Sequence, residues 1–332
     1  MIVNFCGNRY NNIHGNWEVM YHYTMRAFHE LGYEVHVSPH LKMQSFPEFI
    51  KFGIQDSPED IYVHNHTYRE DLYDKGFFVP EKCLFLKPTG PSHEHFTIDT
   101  RGYAAGSDIT YKKPNFESID STQFFQTMVP FFKEQKSNKW KDRQDLQFSS
   151  QAINVPDNHI LLIGQMPGDE TVTKMSFGDH WNKFCSIVNL LKGENLVIKV
   201  HPTLESEARK SGCWETYAKD IHNWLMEGLC VFYGFESLYD ILPKSRVAIV
   251  ENSTAGVDCL LHEVPVISYG YPEYHWVTKD LRHLHLLREF IQNLSWWDKD
   301  LANRWIAWYC TEYQCYNYAS TLKRVKELVN DW

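Results

Sequence analysis

The sequence predicts an α/β protein built from two Rossmann-like, doubly wound domains, and three observations carry that reading. Residues 1–37 run strand, glycine turn, helix, strand, which is a βαβ unit and implies a parallel sheet. A polar stretch at 136–158 breaks the chain near its middle. Beyond it, apolar runs and helically spaced segments alternate without interruption from 159 to 270.

In the first half, the apolar run 1–6 ends at Gly7 and reads as a buried strand. Residues 16–31 follow with helical spacing (Val19, Tyr23, Met25, Ala27, Phe28, Leu31) and stop at Gly32. Residues 33–37 form the second strand. Further strands are expected at 60–64 and 83–86, and helices at 46–52 and 122–133. The second half restarts with HILLI (159–163), a helix over 179–191 and NLVIKV (195–200) ending in His201-Pro202. A helix at 214–226, a strand at 230–233 and a short helix at 237–242 come next. A strand at 247–250, a helix at 253–262 and a strand at 265–269 complete the pattern. Helices near 297–313 and 318–330 close the chain, with Trp296, Trp297, Trp305 and Trp308 read as packing residues. The expected domains are therefore 1–145 and 155–332, with the last helices able to pack back on the first domain.

Bulk properties bound the function. At 332 residues with 43% apolar composition the chain can fill two cores, which excludes a disordered protein. Aromatic residues reach 15%, a content that suits stacking on sugar or base rings as well as packing. A formal charge of −9 supplies no global basic field and argues against tight non-specific binding to nucleic acid. The basic run KEQKSNKWKDR (133–143) reads as a solvated linker. Eight cysteines form no CxxC pair and lie largely in apolar runs, the pattern of reduced thiols. No secretory signal opens MIVNFCGNRY, and no stretch approaches 18 apolar residues, so a soluble, cytoplasmic protein is expected.

Ligands of open α/β sheets bind beyond the carboxyl ends of the strands. Four loops of the second half, 164–173, 201–204, 235–237 and 251–256, fall at that edge. In Lys199-x-His201-Pro202, strand alternation puts Lys199 and His201 on one side, and Pro202 fixes the imidazole where it can serve a departing phosphate. Asn252-Ser253-Thr254-Ala255-Gly256 joins a strand to a helix, and its small hydroxyl residues at a helix start suit an anion as well as a cap. Asp258, one turn on, is placed to accept hydrogen bonds from a ribose or to complement the helix dipole. Gln165-Met166-Pro167-Gly168-Asp169-Glu170 sets a glycine beside paired carboxylates, one of which can face a reacting sugar carbon. The ring-rich loop 268–276, with Tyr274, suits stacking on a sugar or base.

Together, LLIGQMPGDETV (161–172), VIKVHP (197–202), SLYDILPKSRVAIVENSTAGVDCLLHEVPVISYG (237–270) and YPEYHWVT (271–278) resemble the bacterial capsule polysaccharide synthesis family, which includes the Kdo transferases. The resemblance implies two Rossmann-like domains in a GT-B arrangement with a cleft between them. It also implies transfer of a sugar from a nucleotide donor, CMP-Kdo in characterised members. On this reading Asp169 is the nucleophile or base and lies with Gln165 at the donor sugar. His201 contacts the donor phosphate with Lys199 and Pro202 beside it, and Asn252, Ser253, Thr254 and Gly256 cradle phosphate or nucleotide. Asp258 stands near the ribose, and Tyr274 completes the donor side. The first half matches less. In PTGPSHEHFTIDTRGYA (88–104), Thr97, Asp99 and Gly102 fit, but Pro88-Thr89-Gly90 replaces the family's acidic residue and its arginine is missing. The acceptor-side candidates are Gly7, Asn8, His14, Thr97 and Asp99.

The expected function is a glycosyltransferase acting on a nucleotide sugar and a glycan acceptor, with no metal and no other cofactor, because no DxD-type motif stands at a strand end. Several alternatives remain open. One is a viral-type enzyme that glycosylates hydroxymethylated DNA, for which modified DNA replaces the glycan. Others are a nucleotide-sugar epimerase, a glycerophosphate transferase and an inactive nucleotide-sugar-binding module. The sequence fixes neither the donor nor the oligomeric state.

Overall fold

The computed structural model describes all residues except 8–11, 14, 56, 77–78, 137–152 and 177. Its described residues divide into two units, each organised by a six-stranded sheet.

The first unit holds Met1–Phe116 and Ala307–Trp332. In chain order it contains β1 (Ile2–Phe5), α1 (Asn16–Glu30), β2 (Glu34–Val37), β3 (Lys51–Phe52), β4 (Ile61–Asn65), α2 (Arg69–Asp74), β5 (Cys83–Pro88), β6 (Phe96–Asp99) and α3 (Asp108–Tyr111). The sheet order is β3-β2-β1-β4-β5-β6, parallel throughout except for the antiparallel pair β5–β6. Strands β1 and β4 are buried along almost their whole length because helices and loops cover both faces of a parallel sheet. Met20, Tyr21, Met25 and Phe28 of α1 fill one face against Val3, Phe5, Val35 and Ile61. Residues from the far end of the chain, Val325 and Leu328, complete the same core.

The second unit holds residues 117–136 and, among those described, 153–306. It contains α4 (Thr122–Glu134), β7 (His159–Ile163), α5 (Glu170–Thr173), α6 (His180–Leu190), β8 (Leu196–Lys199), α7 (Leu204–Lys210), α8 (Trp214–Met226), β9 (Cys230–Phe232), α9 (Leu238–Ile241), β10 (Ser245–Val250), α10 (Ala255–Leu261), β11 (Val266–Ser268), β12 (Lys279–Asp280) and α11 (Leu287–Gln292). Helix α12 (Lys299–Trp308) begins in this unit and leads the chain back to the first, where α13 (Tyr318–Asn330) lies on α1. The sheet order β12-β11-β10-β7-β8-β9 repeats that of the first unit when each is counted from its own first strand, and every pair is parallel. Connections therefore leave in opposite directions from between β1 and β4, and again from between β7 and β10. That is the position where a doubly wound sheet opens a crevice.

The two Rossmann-like sheets are as the sequence predicts. Three details differ. Residues 46–52 form no helix: Pro47 accepts a turn hydrogen bond from Ile50 N–H, and the segment then pairs as β3 beside β2. Strand β6, FTID, alternates apolar and polar residues and β12 has two residues, so neither shows an apolar run that announces it. Helix α4 belongs with the second unit and residues 307–332 with the first, a division different from 1–145 and 155–332. Most of the basic run and the expected linker lies outside the described residues. Trp305 is fully buried, its ring 6.1 Å from that of Tyr274, and Trp308 stacks on Tyr313 at 5.5 Å. None of the eight cysteines is in a disulfide. Among the described residues no helix is long and apolar enough to cross a membrane.

Candidate functional site

At the crevice of the second sheet, the three adjacent strands β8, β7 and β10 release His201, the 164–169 loop and the 251–256 loop from one edge. The register pairs Ile163 with Lys199 and Leu162 with Ile249, so these loops start within about one residue of the same level. Gly164 N–H still bonds to Lys199 O at 2.8 Å, and the loops diverge after that contact.

The side chain of Gln165 ties two of the loops together. Its Oε1 accepts from Asn252 N–H at 2.9 Å, and its Nε2 donates to Thr171 Oγ1 at 2.9 Å. Thr171 Oγ1 has one proton, and that proton goes to Asp169 Oδ1 at 2.5 Å. Thr171 N–H donates to the same oxygen at 2.8 Å, which makes Asp169 the N-cap of α5. Asp169 is exposed, and its Oδ2 has no protein donor among the described residues. One carboxylate oxygen is anchored and the other is presented. Asn252 is pinned in turn: its Nδ2 donates to Thr171 O at 2.8 Å, and its Oδ1 accepts from Tyr271 N–H at 2.6 Å. A side chain at Gly270 would place its Cβ 2.1 Å from that Oδ1, so glycine is required there.

Beneath this layer sits a charge cluster that the sequence reading did not single out. Glu251, directly after β10, is fully buried and accepts from His180 Nδ1, Lys183 Nζ and Ser176 Oγ. Gln165 N–H donates to His180 Nε2 at 3.2 Å, so the ring nitrogen facing Gln165 is an acceptor and the proton lies on Nδ1, toward Glu251. Burial pushes the Glu251 carboxyl up, but hydrogen bonds from His180, Lys183 and Ser176 outweigh it and hold the group below the usual carboxylate range. Tyr269 lies over the cluster, its ring 6.4 Å from His180, and burial raises its hydroxyl well above the usual phenol value. The available signals were slight: Glu251 follows an all-apolar strand end, and His180 and Lys183 stand one turn apart on α6.

His201 is partly exposed at the end of β8. Its Nδ1 accepts from Thr203 N–H at 3.3 Å and lies 3.0 Å from Thr203 Oγ1. The backbone donor fixes the neutral tautomer, so Nε2 carries the proton and is the ring's donor. Pro202 is partly buried beside it.

Several expected ligand contacts turn out to be internal. Lys199 is 4% exposed, and its ammonium donates to Gly234 O at 2.7 Å and Val200 O at 3.2 Å, with Glu236 at 3.3 Å. It ties β8 to the loop after β9, and burial lowers its pKa against the pull of Glu236. Tyr274 is fully buried and donates to Ser253 O, so it supports the 253–256 loop from below. Gly256 is needed for that packing, because a Cβ there would come 2.2 Å from the Tyr274 ring. The exposed ring of the 268–276 loop is Tyr271, stacked on His275 at 4.0 Å. At the start of α10, Ala255 N–H bonds to Ser253 Oγ, Gly256 N–H to Ser253 O and Val257 N–H to Thr254 O. These amides close the turn, so the segment serves as a cap and its amides are not available to an anion. Ser253 and Thr254 remain partly exposed, and Asp258 accepts from Tyr239 OH at 3.2 Å.

In the first unit the acceptor-side expectations divide. Gly7 follows β1 with a φ of 52°, while Asn8 and His14 lie outside the described residues. Thr97 is 1% exposed and bonds to Lys87 O at 3.3 Å. Asp99 is fully buried and accepts from the N–H groups of Arg101, Gly102 and Asp108 and from Tyr313 OH at 2.7 Å. Burial drives its pKa up. With its oxygens enclosed in this way Asp99 organises a turn, and neither it nor Thr97 faces an acceptor.

The sequence model of a capsule polysaccharide biosynthesis protein matches residues 95–288, more than half of the chain. No curated protein matches the sequence. Among solved structures, the fold is similar to Thermosulfurimonas dismutans KpsC, beta Kdo 2,7 transferase, with a TM-score of 0.51 and 15% identity over 98% of this chain and 99% of that one. It is also similar to the beta Kdo 2,4 transferase of KpsC from the same organism, with a TM-score of 0.51 and 14% identity over 99% of this chain and 98% of that one.

Proposed function

The chain belongs to the capsule polysaccharide biosynthesis protein family, and from that premise we propose that it is a glycosyltransferase moving a sugar from a nucleotide donor to a glycan. The observation that carries the proposal is the anchored carboxylate of Asp169, presented on the strand edge that also releases the Nε2–H of His201. The donor is read as CMP-Kdo or a similar nucleotide sugar, in keeping with the named activity of the similar folds.

In this scheme the bond that breaks joins the anomeric carbon to the nucleotide phosphate. Asp169 Oδ2 faces that carbon and acts as nucleophile or as base for the acceptor hydroxyl. His201 Nε2–H donates to the phosphate oxygen that gains charge as the bond lengthens, a role for an oriented donor. The hydroxyls of Ser253 and Thr254 hold the phosphate, Tyr271 stacks on a ring of the donor, and Asp258 accepts from the ribose. Gln165, Thr171 and Asn252 act by orienting Asp169. No metal or other cofactor is assigned a role, so transfer is expected to persist in EDTA.

The test is a thermal-shift screen of the protein against CMP, UDP, GDP and their sugars, followed by a transfer assay with the stabilising donor. One nucleotide class is expected to raise Tm, and Ser253→Ala combined with Thr254→Ala should remove most of the shift. If no nucleotide or nucleotide sugar stabilises the protein, the proposal fails.

A further inference from the structure

The first unit contains a pocket of about 590 Å³ that none of the expected site residues line. Its walls come from the Asn16–Tyr23 part of α1, Pro88 at the end of β5, residues 93–95 with Phe96 at the start of β6, and the turn that opens α13. The volume falls within the roughly 300–1,000 Å³ of small-molecule sites. We propose that this pocket binds an uncharged saccharide, one or two rings of the acceptor, between the faces of Tyr23 and Tyr316 and the amides of Asn16 and Asn317.

Aromatic side chains line the pocket from two elements. Tyr316 is partly exposed and packed against His95 at 5.5 Å, and its backbone N–H bonds to Ser320 Oγ at 3.0 Å, which holds the ring in place. Tyr23 is partly exposed on α1, one turn after Val19, which is 47% exposed at the pocket wall. The C–H faces of a pyranose match such surfaces, and its hydroxyls need donors and acceptors around the rim. Asn317 supplies a donor: its Oδ1 caps α13 by accepting from Ser320 N–H at 2.8 Å, which leaves the amide NH₂ for a ligand. Asn16 opens α1, and its amide has no partner among the described residues, so it offers both a donor and an acceptor.

Charge selects among ligands. No lysine or arginine is among the described residues that line the pocket, and Glu94 is the formal charge there. Burial, with His93 nearby, lowers His95 to about 3, so its ring adds no positive charge at neutral pH. A phosphate or a sugar carboxylate would enter without a counter-charge and against a carboxylate. Glu94 is exposed, so screening leaves it little hold on a cation. An uncharged polyol is the ligand that these walls satisfy.

The inference uses the transferase reading only to explain why a second sugar site exists, and it is testable without a donor. Saturation-transfer difference NMR and calorimetry on the full chain would compare cellobiose, lactose and chitobiose with a glucuronate-containing disaccharide and with inorganic phosphate. At least one neutral disaccharide should bind at millimolar concentration, with the glucuronate form at least fivefold weaker and phosphate silent at the pocket. Val19→Trp, which fills the pocket from an exposed position, and Asn16→Ala should each weaken binding at least fivefold. A thermal melt and nucleotide affinity report that both variants are folded. No saccharide binding, binding unchanged in both folded variants, or preference for the anionic forms overturns the inference. Failure of the nucleotide screen with intact saccharide binding would instead overturn the transferase reading and leave this pocket standing.

Discussion

The two units share one strand order and differ in what they place where the strand connections diverge. In the second, the ends of β7 and β10 carry Gln165 and Asn252, bonded to each other and, through Thr171, to a presented carboxylate. In the first, the equivalent ends lead to Gly7 and to His66, which has a φ of 46° and packs 6.0 Å from Trp17 and 5.2 Å from Tyr103. Lys87 sits over the Trp17 and Tyr103 rings at 5.7 and 4.8 Å. The second crevice is built from polar groups with defined directions, and the first from rings packed edge-on or tilted with a lysine over them. Directional groups suit a reaction that must place one atom accurately, whereas rings suit a ligand held by its faces. A shared backbone order therefore sets where a site lies, and the side chains at the strand ends decide what kind of site it is.

This contrast can be broken most severely at the presented carboxylate. Asp169→Asn keeps an oxygen for the Thr171 donors but removes the charge, and transfer should fall by roughly 10²–10⁴ with nucleotide binding retained. A variant that turns over normally in a single-turnover assay would remove Asp169 from the chemistry. His201→Ala should lower kcat by roughly 10²–10³, the usual effect of deleting one oriented donor to a developing charge. Steady-state kinetics would show whether kcat or only KM changes, and a change confined to KM would make His201 a binding group.

The relay predicts a smaller effect. Thr171→Val removes the hydroxyl between Gln165 and Asp169 at nearly constant volume, and kcat should fall about tenfold with KM little changed. Thr171→Ser should restore the rate, an outcome that loss of packing alone would not give.

Acid should sharpen the comparison through stability. Burial lowers His64 to about 4 and His95 to about 3 in the first unit, and His262 to about 4 in the second. A histidine whose folded pKa lies below its unfolded value near 6.5 stabilises the fold fully above that pH and loses the contribution as pH falls toward the folded value. Each can contribute a slope of up to about 1.4 kcal/mol per pH unit between about 6.5 and 4. His159 and His275 of the second unit are lowered by burial as well, so both units should lose amide protection as pH falls through this range. Hydrogen exchange read by peptide from pH 7 to 4 tests this, and protection unchanged in both units would mean that other groups dominate.

The sequence made the second unit largely legible because its strands are apolar runs ending in punctuating residues, such as His201-Pro202 and Asn252-Ser253. Alternation and termination are local signals, and they brought Gln165, Asp169, His201 and the 252–256 loop to one edge. Local signals do not report which polar groups are enclosed. Lys199, Tyr274, Thr97 and Asp99 carry chemistry that ligands use, yet each is buried against protein partners, a fact set by long-range packing. Glu251 was obscure for the same reason, since its partners lie about 70 residues earlier in the chain. The first unit was harder to read because β3 has two residues, β6 has no continuous apolar run, and its core is finished by residues from 315 onward.

That closure has a consequence for biosynthesis. Phe96 and Cys315 exchange both backbone hydrogen bonds, and Val325 and Leu328 fill the core beneath α1. On the ribosome, the domain whose first strands emerge earliest must wait for the final helix, while its successor has every strand in hand by residue 280. A chain that stops after residue 306 would thus hold an intact second unit attached to a first that cannot seal its core.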